Sequence, residues 1–312
     1  MLADGFMNVF RGLKHFWEDP AYKVCQWLLH FVKQEQIPDK LFLQYQYHYV
    51  FGEKLNLKHP KKFNEKLQWL KLYDRNPLYT TLVDKYAVKR WVADKIGEEY
   101  VIPTLAVYDN VEQIDLNELP DRFVLKCTHD SGSVFICKDK QSFNLEEAKK
   151  ILDIKLKTDF YLKYREWPYK KVNPKIIAEE YKEDSSGELR DYKVYAFNGK
   201  CDYLMFCFDR SKGETKFFYY DKEWNLKKDM SCDGLKYGDS IQIPKPQNLE
   251  LIFQTAELLS VGIPFVRIDF YEVEGELFFG EFTFFPTGGI DDTRTEVLNE
   301  YLNEHLEIKR IR

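Results

Sequence analysis

PFVRIDFYEVEGELFFGEFTFFPTGG, residues 264–289, decides how the rest of the chain is read. Val266, Ile268 and Phe270 alternate with Arg267, Asp269 and Tyr271, the period of a half-buried strand. In the second half Leu277, Phe279 and Phe285 share parity with Glu281 and Thr283, so the two halves read as a β-hairpin. Its register depends on the connection around Glu274-Gly275-Glu276. An odd number of loop residues sets Asp269 opposite Glu281 and Arg267 opposite Thr283, whereas a two-residue loop sends the carboxylates to opposite faces. In the odd register the carboxylates repel unless a cation lies between them. Hard oxygen ligands at that spacing suit Mg2+ carrying nucleotide phosphates, and Arg267 beside them suits an anionic group of a transition state. The plainer alternative is an exposed polar face carrying a weak surface ion pair.

Outward from the hairpin, composition narrows the field. The 312 residues are 44% hydrophobic and 16% aromatic, which suits one large core or a few subdomains rather than disorder. A net charge of -5 and a pI near 5.8 argue against a general nucleic-acid surface. Six cysteines form no CxxC pair and read as reduced, and the scattered histidines suggest no zinc centre. No stretch reaches the length of a membrane span, so the expected location is cytoplasmic.

Residues 2 to 36 carry aromatic, helically spaced stripes such as Phe6 to Trp17 and Val24 to Phe31, which either pack on the body or dock on a membrane surface. Helical patterns continue through FNEKLQWLKLYDRN and through Thr81 to Ile96, where Lys85, Lys89 and Arg90 form a solvated face or aim one cation at phosphate. RFVLKCT, with Lys126 at its centre, and VFICK flank the small-residue loop Ser131-Gly132-Ser133. Such a loop brings backbone N–H groups to phosphate oxygens or is an ordinary turn. KIIAEEY is a strand ending at Glu179, Glu180 and Tyr181, and Asn198-Gly199 joins two strands, the first carrying Lys193 beside Asp191 and Tyr195. Asp291 or Asp292 is the expected cap of a last helix through Leu306.

In order and spacing, Lys126, the 131–133 loop, the EEY strand end, the Lys193 strand, RID and GEFTFFPTGG resemble the ATP-grasp superfamily. Within it, FNEKLQWLKLYDRNPLYTTLVDKYAVKRWV, LPDRFVLKCTHDSGS, REWPYK and IIAEEY resemble the TupA-like branch, named for teichuronopeptide biosynthesis. The resemblance implies an α+β ATP-grasp fold, two lobes with antiparallel sheets enclosing ATP, preceded by a helical N-terminal region. The implied units are a helical extension (1–60), an N-terminal lobe (61–121), a small subdomain with the phosphate loop (122–178) and a C-terminal subdomain with the metal site (179–312).

It further implies that Lys126 and Lys193 contact phosphates, with Ser131, Gly132 and Ser133 closing over them. Glu179, Glu180 and Tyr181 would border adenine and ribose; Asp269 and Glu281, with Thr283 beside them, would hold Mg2+. Arg267 would steady an acyl phosphate, and Lys85 is a further candidate. One departure is Thr283, which stands where many amide ligases of the superfamily carry asparagine. Its neutral hydroxyl is a poorer metal ligand. The implied function is an ATP-dependent carboxylate–amine ligase acting through an acyl phosphate. It would add an amino acid or amine to a carboxylated sugar in surface-polysaccharide assembly, in the cytoplasm or peripherally at the membrane's inner face. Two other readings are an ATP-dependent sugar or polysaccharide kinase and a non-catalytic nucleotide-binding scaffold.

Overall fold

Two antiparallel sheets organise the chain, each built where β-branched and aromatic residues alternate with polar ones. The structure is a computed structural model that describes residues 20–183, 189–208 and 215–308; the expected Phe6 to Trp17 stripe and the polar turn from Asp184 to Gly187 lie outside them. Helices α1 (Pro20–Phe31), α2 (Asp39–Phe51), α3 (Phe63–Tyr73), α4 (Leu78–Val83) and α5 (Ala87–Ile96) come first. Strands β1 (Thr104–Tyr108), β2 (Phe123–Cys127) and β3 (Val134–Cys137) follow, then α6 (Leu145–Leu156), α7 (Tyr161–Tyr164) and β4 (Ile176–Glu180). After β5 (Arg190–Ala196), β6 (Tyr203–Phe208) and β7 (Lys216–Asp221) come α8 (Cys232–Tyr237), α9 (Leu249–Leu259), β8 (Val266–Val273), β9 (Glu276–Thr283) and α10 (Glu296–His305).

The smaller sheet has strand order β1-β4-β2-β3 and the larger β7-β6-β5-β8-β9. Because β1 pairs with β4 and β4 with β2, the smaller sheet runs from Thr104 to Glu180 and crosses the limits expected at 121/122 and 178/179. Helix α6 covers it with Ala148 and Leu152, which are fully buried against Phe123, Leu125 and Ile176. The larger sheet shares its core with α3, α9 and α10, whose Leu67, Ile252, Ala256 and Leu302 have no exposed surface. Cys25 of α1, Phe42 of α2 and Ile37 between them form a separate small cluster, and Arg165 ties it to the body by donating to the Gln34 and Ile37 carbonyls at 2.6 and 3.3 Å.

The hairpin corrects one part of the sequence reading. Its loop is the two-residue form, with Val273 opposite Glu276 and Glu274 and Gly275 both at positive φ (50° and 82°). That loop alone would set the carboxylates on opposite faces. A β-bulge at Gly280 restores them: Phe270 pairs with Phe279, the next pair is Asp269 with Glu281, and Gly280 has no partner. Phe279 and Phe282, three apart in sequence, therefore both point into the core with ring centroids 5.1 Å apart. Continuous parity from Leu277 to Glu281 does not hold.

Two smaller corrections concern helices. The helix expected from Thr81 to Ile96 is broken between Val83 and Ala87, because the Lys85 N–H donates to the Thr128 carbonyl (3.0 Å) instead of continuing the helical ladder. Helix α10 is capped by Thr295, whose hydroxyl accepts from Leu298 N, rather than by Asp291 or Asp292.

Candidate active site

Strand pairing across β5, β8 and β9 assembles the polar centre. Lys193 lies opposite Asp269, which lies opposite Glu281; two residues along, on the same face, Tyr195, Arg267 and Thr283 form a second row. Opposed residues in such a ladder have Cβ atoms about 4.5–5.5 Å apart, so six side chains from three strands share one small patch. Asp269 is its centre and is 1% exposed. Arg267 donates to it through Nε at 2.7 Å and Nη2 at 2.8 Å, and the Lys193 ammonium donates to the same carboxylate. Lys193 also pairs with Asp191 at 2.6 Å, and Arg267 reaches the Thr283 hydroxyl at 3.0 Å.

Burial pushes the Asp269 carboxyl up, yet Arg267 and then Lys193 outweigh it and hold the group below the ordinary aspartate value. For Lys193, burial works against the ammonium, while Asp269 overcomes it and keeps the charge in place. Glu281 differs in kind. Its side chain is 40% exposed, and its contact with Arg267 is long, at 3.7 Å. Arg267 and Lys193 already engage three of the roughly four acceptor positions on the Asp269 carboxylate. The hard-oxygen set that fits a divalent cation is thus the open Glu281 carboxylate with the remaining position on Asp269, and Thr283 Oγ1 faces Arg267 instead.

This patch opens into a cavity of about 600 Å³. Lys193, Arg267 and Glu281 line it together with Ser131 from the 131–133 loop, Tyr195, Tyr219, Thr287 and Arg294. Gly132 stands at φ 92° with no atom within 4 Å of where a Cβ would be, so the loop tip is open. Ser133 turns inward, accepting from Cys127 N at 3.0 Å and donating to Asp130, and serves the loop's own shape.

Lys126 lies elsewhere, beside the bulge. With Lys85, Lys89, Glu179, Tyr271, Phe279 and Gly280 it lines a second cavity, of about 10 Å³, between the two sheets. Glu179 is 4% exposed and pairs with both Lys126 and Lys89, the latter at 2.5 Å. Burial raises its carboxyl, but the two ammonium groups outweigh that and hold it below the usual glutamate value. Lys89, expected on a solvated face or aimed at phosphate, has a side chain only 14% exposed and also donates to the Ile102 carbonyl at 2.7 Å; Arg90 is exposed. Lys85 donates to the Asp130 carbonyl and so braces the Ser131 loop. Glu180 pairs with Lys182 at 3.0 Å, and Tyr181 lies under Arg122 and Lys138 with its hydroxyl donating to Glu183 at 2.6 Å. Neither Glu180 nor Tyr181 lines either cavity.

Sequence reasoning passed over one structural device. Asn64, Gln68 and Lys71 occur at helical spacing on α3, and all three hold the segment that follows β9. Asn64 donates to the Asp291 carbonyl (2.9 Å), Gln68 to that of Gly289 (2.7 Å) and Lys71 to that of Gly288 (2.6 Å). That segment needs holding, since Thr287, Gly288 and Gly289 all stand at positive φ (54°, 62° and 68°). The available signal was a polar stripe at i, i+4, i+7 beside the apolar one in FNEKLQWLKLY.

Residues 65–307 match the TupA-like ATP-grasp family model. The chain belongs to the TupA-like ATP-grasp family. Membership bears out the recognition, and the two antiparallel sheets with their preceding helices bear out the α+β fold class. Among curated proteins none matches it. Solved structures similar to it include an L-amino acid ligase from Bacillus licheniformis, at 12% identity and TM-score 0.41, covering 70% of this chain and 47% of that one. D-alanine–D-alanine ligase from Bacillus anthracis complexed with ATP gives 14% and 0.42, covering 72% and 65%. The ATP-grasp ligase PsnB complexed with minimal precursor, Mg and ADP gives 10% and 0.38, covering 86% and 71%. This TupA-like chain thus spans about half the length of the first of these ligases. Among its described residues no helix is long and apolar enough to cross a membrane.

Proposed function

We propose that this protein is an ATP-dependent carboxylate–amine ligase that works through an acyl phosphate on a carboxylated sugar, as its TupA-like family suggests. The observation that carries the reading is the pair of cations, Arg267 and Lys193, fixed around buried Asp269 and facing one cavity with Ser131 and Glu281. Such an arrangement stabilises charge on a transferring phosphoryl group without reorganising, and that is most of what phosphoryl transfer asks of a protein. An acceptor carboxylate oxygen forms a bond to the γ-phosphorus as the bond from that phosphorus to the β-bridging oxygen breaks, and ADP leaves. The amine nitrogen then attacks the acyl carbon, the C–O bond to phosphate breaks, and inorganic phosphate departs as the nitrogen gives its proton to solvent. Asp269 and Glu281 would hold Mg2+, which supplies charge neutralisation on the nucleotide phosphates.

ATP is proposed to enter between the sheets beside Lys126. A 10 Å³ cavity holds no more than a water molecule, so entry requires Lys126 and Lys89 to part from Glu179. Exposed Trp27 and Phe31 on α1 support peripheral membrane contact of a cytoplasmic protein, which vesicle co-sedimentation tests. The function is tested by phosphorus NMR of ATP incubated with glucuronate and amino acids. Equimolar ADP and free phosphate with an amide product is expected, while phosphate retained on the sugar would replace the ligase by a kinase. Glu281→Gln should abolish turnover with folding stability changed by less than about 1 kcal/mol, since its side chain makes no short contact. Turnover near the wild-type rate would remove Glu281 from the site.

A further inference from the structure

The 600 Å³ cavity extends well beyond the groups that the phosphoryl-transfer reading uses. Its floor is one face of the larger sheet. Tyr219, Met205, Lys193, Asp269 and Glu281 lie opposite one another in ladder order, one on each of β7, β6, β5, β8 and β9. Neighbouring strands are about 4.8 Å apart, so four spacings set Tyr219 about 19 Å from Glu281 across the sheet. All of these but Asp269 line the cavity, and so does Phe217, two residues from Tyr219 on the same face of β7. Arg267, Lys193 and Glu281 account for the part of the floor on β5, β8 and β9; the part on β6 and β7 has no role in phosphoryl transfer.

Phe217 closes that unused part. Its side chain belongs to a residue that is 38% exposed, yet its backbone is fixed on both sides. Its N–H donates to Asp233 Oδ2 at 2.9 Å, and its carbonyl accepts from the Ser231 hydroxyl at 2.7 Å. Ser231 and Asp233 line the same cavity. Singly exposed apolar side chains are ordinary on a convex surface, but this ring is held inside a concave site. An apolar ring face with a carboxylate beside it suits a sugar, whose C–H groups cover the ring while its hydroxyls donate to the carboxylate. Strand β7 lies three spacings, about 14 Å, from the strand that carries Arg267, so one hexuronate with its carboxyl at Arg267 and Glu281 does not reach it.

We infer that Phe217 forms a subsite for a second sugar unit, so that the acceptor is an oligosaccharide rather than a single hexuronate. The inference rests on the ligase reading for the carboxylated sugar at the reacting end. The unit to be modified turns its carboxylate toward Arg267 and Glu281, and an adjoining unit covers the Phe217 ring and donates a hydroxyl to Asp233. Acceptor length then sets affinity, because contacts remote from the reacting carboxyl supply part of the binding.

The test is calorimetric titration of the purified full-length protein in the presence of Mg2+ and a non-hydrolysable ATP analogue. The titrants are the single uronic acids and the dimers, trimers and tetramers from polyglucuronate, polygalacturonate and alginate. In at least one series the oligomers are expected to bind about 10-fold more tightly than the single unit, the worth of one ring contact with its hydrogen bond. Phe217→Leu should remove that gain and leave the affinity for the single unit unchanged, whereas Phe217→Tyr should keep it. The length series on the wild-type protein stands even if Phe217→Leu does not fold. Affinity that is independent of length in every series, absence of binding in all of them, or a gain with length that survives Phe217→Leu overturns the subsite. The ligase reading fails on a different readout, the absence of ADP and amide formation with every acceptor and donor pair, whatever the acceptor's length.

Discussion

Replacing Gly280 by alanine tests whether the bulge is what brings the two carboxylates together. A Cβ at that position would stand 2.9 Å from the Asp269 carbonyl oxygen and 3.0 Å from Tyr271 Cε2. Ordinary contact lies near 3.5–4.0 Å, so roughly half an ångström or more must be found on each side. The ring can yield a little. The carbonyl belongs to β8, which is paired on both sides by β5 and β9, and its movement drags the Asp269 backbone with it. Overpacking of this kind costs about 1–3 kcal/mol. Urea unfolding followed by circular dichroism should show a lowered midpoint at an unchanged slope, and ATP turnover should fall as Asp269 shifts against Lys193. The companion variant is deletion of Gly280. The two-residue loop alone then sets the residue after Phe279, which is Glu281, opposite Asp269, and cooperative unfolding should survive. A Gly280→Ala midpoint equal to the wild type would refute the contact argument. A deletion variant that does not fold would refute the parity argument.

Three further outcomes follow from buried charge. Lys71→Met removes the donor from Gly288 O, Tyr164 O and Gln68 Oε1 at 2.6, 2.7 and 3.1 Å, and should destabilise by about 3–5 kcal/mol in chemical denaturation; a loss below about 1 kcal/mol would show that the Thr287 to Gly289 turn holds itself. Burial lifts the Glu166 carboxyl to about 7 against the Lys71 charge, so between about 4.5 and 7 the folded protein binds the proton more tightly than the unfolded chain. This group's contribution is therefore full in acid and lost as pH rises through 7; Glu166→Gln should flatten that part of the stability–pH curve, and an unchanged slope would show that Glu166 does not carry it. Glu179→Gln leaves Lys89 and Lys126 without their shared carboxylate, so added ATP should raise the melting temperature more for the variant than for the wild type. Equal shifts would place the nucleotide phosphates away from these lysines.

Much of the candidate site's strand pattern was legible before any fold was known, because strand chemistry is local. Alternation in VRIDF puts Arg267 and Asp269 on one face, and Asn198-Gly199, at φ 49° and 83°, makes the turn that its sequence demands. Family phrases supplied the order of the lysines along the chain and the family itself. Three things were not legible. Loop length left two registers open, and Asp269 faces Glu281 through a two-residue loop plus a bulge rather than through an odd loop; a bulge adds one residue without an unambiguous mark in the pattern, and a glycine in a strand has several uses. Lys89 read as surface because helical spacing places it beside Arg90, whereas Glu179 of a strand 90 positions later makes burial tolerable. The polar stripe Asn64, Gln68 and Lys71 has its partners more than 200 residues away, at Asp291, Gly289 and Gly288. The sequence by itself determined which residues alternate and therefore which side chains share a strand face. Only the tertiary structure decided which faces meet, because pairing across sheets and between distant segments depends on packing that no local period encodes.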